Sequence, residues 1–283
     1  MTLPVVDSHL HVWDLGRGGY AWLGPRHGDL HRSFLPDEAR RVLAEAAIDQ
    51  ALLVQAEDSE ADTDFMLAAA EASDVFAGVV GWVRLDDPAV AVAQLSALSG
   101  RPAFRGVRHL VHDDPRDDFL ELDTVRRSLG LLAEMGLPFD VPDAWPRHLD
   151  QVADLADALP DLVVVVDHLA KPPRGTDGME HWRSSLRAVA ARPNTVAKVS
   201  GLQVAGQPFT VDALRPAWET ALECFGPDRL MYGGDWPMTV PAGGYLPHWR
   251  TVRALVDELA PGEQASVLAG TARRTYHLEG GPS

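Results

Sequence analysis

The chain of 283 residues contains one cysteine, Cys224, so no disulfide can form within it. In Leu222-Glu223-Cys224-Phe225 that thiol reads as a small buried hydrophobe on a helix. Long apolar runs are missing too, and none approaches the ~18–20 residues of a membrane span. Basic residues are scarce: 25 Lys and Arg face 41 Asp and Glu, a formal net charge of -16. That balance argues against nucleic acid and anionic membrane surfaces as partners, since both select basic patches. It leaves room for a small anion held by local arginines. The N-terminus lacks a basic stretch followed by an apolar one, so a cytoplasmic protein without a signal peptide is expected. No Gly-x-Gly-x-x-Gly or Walker-type loop follows the first strand, which removes support for nucleotide binding. No linker, low-complexity segment or clear repeat divides residues 1–283, which are expected to form a single domain.

What is present alternates. Apolar strand candidates run over 5–11, 51–56, 77–83, 104–109, 137–141, 162–168, 195–200 and 229–233. Helical spacing or helix punctuation separates them at 36–48, 63–72, 88–100, 119–135, 147–159, a segment ending near 191, and 211–225. Two more helices close the chain, at 246–259 and 263–276. Pro36 with Asp37 and Glu38 suits a helix start, and Gly136 a helix end. Leu162-Val163-Val164-Val165-Val166 is the continuous apolar run typical of a parallel strand buried on both faces. Eight βα units predict an α/β fold, a (β/α)8 barrel, with an open doubly wound sheet as the alternative.

Active sites of such barrels form at the C-terminal ends of the strands, and polar residues collect there. The first strand, Val5-Val6-Asp7-Ser8-His9-Leu10-His11, ends in two histidines. A period of two puts Asp7, His9 and His11 on one face. Strand four ends in Arg108 and His109, strand five carries Asp140, strand six Asp167 and His168, and strand seven Lys198 and Ser200. Gly233-Gly234-Asp235-Trp236-Pro237 follows strand eight. Trp13 and Trp236 flank these motifs and can wall a sugar ring. Lys171 reads as solvated. His27, His31, His112, His148, His181, His248 and His277 have no motif around them and read as structural or surface residues. The segment 12–34, rich in Gly, Arg and Trp, is the long irregular loop in which specificity is expected.

Four motifs in order, Asp-Ser-His-Leu-His-Val-Trp, Gly-Val-Arg-His, Val-Asp-His-Leu-Ala-Lys-Pro and Gly-Gly-Asp-Trp-Pro, resemble the amidohydrolase superfamily. The lactonase branch, with L-fuconolactonase-, L-rhamnonolactonase- and pyrone-dicarboxylate-lactonase-like enzymes, is the nearest match, and it spans nearly the whole chain. The resemblance implies a barrel hydrolase that opens a small lactone with an activated water. It implies Asp235 as general base and His168 beside the reacting carbonyl. Arg108 would contact substrate oxygens, with His109, Asp140, Trp13 and Trp236 as further substrate contacts. His9 and His11, with Asp235, would either bind one divalent metal such as zinc or, as in lactonases that work without a metal, hold and polarise the substrate. Members of the family often form homodimers. The chain departs from the metal-dependent pattern: Arg108 and His109 stand where many members have a metal-bridging lysine or glutamate, and Asp140 replaces a histidine ligand after strand five. This argues against a binuclear centre. The alternatives are a zinc-dependent decarboxylase of a small aromatic or unsaturated acid, and a non-catalytic barrel that binds a small acid or sugar.

Overall fold

A computed structural model describes residues 3–278. Eight strands form one sheet in sequence order: β1 Val6–Leu10, β2 Gln50–Val54, β3 Phe76–Gly81, β4 Phe104–Arg108, β5 Phe139–Val141, β6 Val164–Val166, β7 Thr195–Val199 and β8 Leu230–Tyr232. Each is parallel to the next. The ring closes where β1 meets the chain after β8: Asp235 N–H donates to the His9 carbonyl at 2.7 Å, and His11 N–H to the Trp236 carbonyl at 2.7 Å. The open-sheet alternative is thereby excluded.

The helices are α1 Pro36–Glu45, α2 Glu60–Glu71, α3 Pro88–Leu98, α4 Asp123–Met135, α5 Leu149–Ala158, α6 Met179–Ala190, α7 Val211–Phe225, α8 Tyr245–Val256, α9 Pro261–Ala265 and α10 Thr271–Thr275. Pro36 does open α1, and Gly136 ends α4 in the left-handed conformation that glycine adopts without a Cβ penalty. The expected helix at 263–276 is broken instead: α9 and α10 are joined by a π-helical turn, Ser266–Gly270. Strand six is shorter than its apolar run. The backbone turns left-handed from His168 to Lys171, with φ between 51° and 62°, and no ladder can continue through that geometry.

Inside the barrel, Val6, Leu52, Val54, Val80, Val165 and Met231 pack against Ala269, Ala272 and Tyr276 from the end of the chain. The larger apolar layer lies between strands and helices. The C-terminal helices thus plug one end of the barrel and leave the strand C-termini open for chemistry.

Candidate active site

The first strand departs from strict alternation. Val6 faces the interior, so Asp7 faces outward, where it accepts bonds from the Tyr245 hydroxyl on α8 (2.7 Å) and from Gly234 N–H (2.7 Å). The β1–β2 register shifts between Asp7 and Leu10, and this bulge returns the His9 ring to the interior. Asp7 and His9 therefore do not share a face, contrary to the sequence pattern. Burial pushes the Asp7 carboxyl up to about 6, against its three hydrogen bonds.

His9, His11, Arg108, His168 and Asp235 converge, each buried. His11 Nδ1 lies 2.8 Å from the Val54 carbonyl oxygen, which turns Nε2 toward the centre. His168 Nδ1 lies 2.8 Å from Ser200 Oγ. Its ring rests against Gly201, where a Cβ would come within 2.3 Å of Nδ1, so the position needs glycine. Arg108 donates from Nη2 to the Gln55 carbonyl at 2.7 Å and from Nη1 to Asp167 Oδ2 at 3.1 Å. Asp235 has φ 50°, a conformation costly for a residue with a side chain, and such strain collects at functional sites. Its Oδ2 accepts from Gln203 Nε2 at 2.9 Å, while Oδ1 faces His11 Nε2 at 3.5 Å.

Burial works to raise the Asp235 pKa, but the surrounding His168, His11 and His9 imidazoles hold it well below the carboxylate range. Burial lowers His168 and His9 below the ordinary imidazole value. At neutral pH the site therefore holds an anionic Asp235 beside uncharged His9 and His168.

Above this group opens a cavity of about 330 Å³. His11, Arg108, His168, Asp235 and Trp13 line it, as the sequence leads one to expect. Three expected substrate contacts lie elsewhere. His109 points away because its neighbour Arg108 points in; it stacks on Phe119 (4.2 Å between centroids) and sits 3.3 Å from Asp58. Trp236 is buried edge-on against Phe34. Asp140 lies beneath the cavity, paired with Lys198. In exchange, the loops bring in Trp22, Arg26, His27, His112, Asp143, Lys171 and Gln203. Lys171, read as solvated, and His27 and His112, read as structural or surface residues, thus reach the mouth. Trp22, Arg26 and His27 belong to the 12–34 loop, whose composition was the available signal. Gln203 has no motif to announce it.

The donor set can hold one metal ion. His9 Nε2, His11 Nε2 and Asp235 Oδ1 lie 3.1–3.9 Å apart, and ligand atoms around a tetrahedral zinc with bonds near 2.0–2.2 Å stand about 3.3 Å from one another. The residues fit such a group.

The sequence model of the Amidohydrolase family matches residues 6–278. The chain belongs to this family. Two L-fucono-1,5-lactonases are similar to this amidohydrolase over nearly their full length. That of Burkholderia ambifaria is 31% identical, covering 97% of this chain and 96% of its own. That of Burkholderia multivorans is 30% identical, covering 96% of each. A crystal structure of an amidohydrolase from Burkholderia multivorans with bound Zn superposes with a TM-score of 0.87 at 30% identity, covering 98% of this chain and 100% of its own.

Proposed function

We propose that this amidohydrolase opens a small lactone, with a sugar-acid lactone favoured by its similarity to two L-fucono-1,5-lactonases. The observation that carries the reading is the placement of an ionised Asp235 with Arg108 and His168 around one cavity walled by Trp13 and Trp22. At about 330 Å³ the cavity is at the small end for ligand sites and suits a single ring. The two indoles offer an apolar wall, and Arg26, Lys171, Asp143 and the histidines offer hydroxyl partners opposite.

In this reading Asp235 takes a proton from the attacking water. Arg108 and His168 donate to the carbonyl oxygen as it gains charge; each such donor is worth about 3–4 kcal/mol when removed. Collapse of the tetrahedral adduct breaks the bond to the ring oxygen, and Asp235 returns its proton to that oxygen. The product is an open hydroxy acid. A divalent metal held by His9, His11 and Asp235 would supply polarisation of the carbonyl and a more acidic water. A cytoplasmic role in carbohydrate breakdown, one catalytic domain over 1–283 and a homodimeric state belong to the same proposal; the lone cysteine and the eight-stranded barrel support the first two.

The test is proton release from a panel of sugar-acid lactones, a pyrone dicarboxylate and small aromatic acids, with and without a chelator. Ring opening of a sugar-acid lactone is expected. Carbon dioxide release from an aromatic acid, with no lactone turned over, would refute the reading.

A further inference from the structure

Two charged side chains of the cavity take no part in the chemistry derived above. Asp143 follows β5, Lys171 follows β6, and both line the cavity. Their side chains are 31% and 36% exposed. Lys171 Nζ stands 3.9 Å from Asp143 Oδ2, too far for a hydrogen bond. Among the described residues, neither side chain hydrogen-bonds to the protein. A loose, partly solvated pair of this kind contributes little stability.

The backbone nevertheless holds both residues in costly conformations. Asp143 has φ 43° and Lys171 φ 62°, left-handed geometry that a side chain disfavours and that collects at functional sites. Lys171 closes the turn that begins at His168, donating its N–H to the His168 carbonyl at 2.9 Å. Trp145, two residues past Asp143, donates its N–H to the Ala170 carbonyl at 3.2 Å. The two loops are thereby tied to each other and to His168.

The chemistry of the pair names what it can hold. A carboxylate only accepts hydrogen bonds, an ammonium only donates them, and a hydroxyl does both. Hydroxyls on neighbouring carbons answer the pair together, one donating to Asp143 and the other accepting from Lys171. A carboxylate on the ligand would meet Asp143 as like against like. A bare hydrocarbon edge would desolvate both charges and return no hydrogen bond.

We propose that Asp143 and Lys171 form a clamp for two adjacent ring hydroxyls and are specificity-determining residues. The substrate is then a polyhydroxylated lactone that carries no acid group at that edge. Because Lys171 and His168 share one turn, seating the diol also sets the lactone carbonyl against His168. The inference rests on the lactone reading for its reaction, but its ligand class rests on the cavity alone.

The experiment has a kinetic arm and a binding arm, each on wild type, Lys171→Met and Asp143→Asn. Kinetics compare a sugar-acid δ-lactone with δ-valerolactone, the same ring without hydroxyls. In each variant KM for the sugar lactone is expected to rise more than kcat falls. The preference for the hydroxylated ring, as a ratio of kcat/KM values, should drop about tenfold, the worth of one hydrogen bond to a charged group. An unchanged ratio overturns the proposal, including the case in which both substrates suffer equally from a general loss of structure. The binding arm is calorimetry with free L-fucose, L-rhamnose, D-galactose and D-glucose, which carry diols and no ester. Wild type is expected to bind at least one of them, and each variant to bind it about tenfold more weakly. Wild-type binding to none of the four overturns the clamp, and this result needs neither turnover nor a folded variant. Diol binding that weakens in the variants while no lactone is opened supports the clamp and refutes the lactone reading.

Discussion

Replacing Asp235 by Asn separates chemistry from fold at one atom. Asp235 is buried, with Oδ2 receiving the Gln203 amide at 2.9 Å and Oδ1 facing His11 Nε2 at 3.5 Å. An asparagine whose oxygen turns to Gln203 keeps that hydrogen bond at the same volume. Burial keeps His9 and His168 uncharged at neutral pH, so no strong ion pair is lost there. The cost in stability should be about 1 kcal/mol, in line with one altered hydrogen bond, and the melting temperature should fall by about 2–4 °C. Catalysis should suffer far more, because an amide cannot take the water proton. Loss of a general base lowers the rate about 10²–10⁴-fold, which is about 2.7–5.5 kcal/mol on the barrier. The assay is pH-indicator proton release on the best lactone substrate, paired with a thermal melt. A variant that melts like wild type and retains kcat/KM within about tenfold would refute the role assigned to Asp235.

Arg108→Lys replaces a fork that reaches both Asp167 and the Gln55 carbonyl by a single ammonium; steady-state kinetics should show kcat reduced about 10²-fold, and an unchanged kcat would remove Arg108 from the oxyanion site. Trp22→Ala takes away half of the aromatic wall, so KM should rise about fivefold, the worth of about 1 kcal/mol of ring contact, with kcat retained. Away from the site, Asp114 accepts from the Arg116 backbone N–H and from its guanidinium; burial works to raise the Asp114 pKa, but these bonds bring it to about 2. A carboxyl depressed in the folded state contributes stability above its unfolded pKa of 3.8 and loses it as pH falls toward 2. Arg116→Met should therefore cost about 1 kcal/mol at pH 7, after discounting for solvent screening. Urea titrations should show the difference shrinking below pH 4; a difference that grows on acidification would contradict the pairing.

Much of this molecule is written locally. Eight apolar segments separated by helix signals determine a parallel α/β sheet, because each strand needs both faces covered and each crossover supplies a helix. The same local order puts His9, Arg108, His168 and Asp235 at strand ends, where barrel sites form. Side-chain direction is another matter. A bulge in β1, set by its register against β2, sends Asp7 outward and His9 inward, and the alternation rule cannot see a bulge. His109 and Trp236 carry suitable chemistry but face Phe119 and Phe34. The cavity rim joins residues as far apart as Arg26, Lys171 and Gln203, and loop packing alone decides such neighbours. The clearest case is Tyr276, near the end of the chain, which reaches Asp140 through the barrel interior. Sequence by itself determined the eight βα units and which residues can do chemistry. Only the closed tertiary structure decided which of them meet, because ring closure, a register shift and a terminal plug act between segments that carry no local trace of one another.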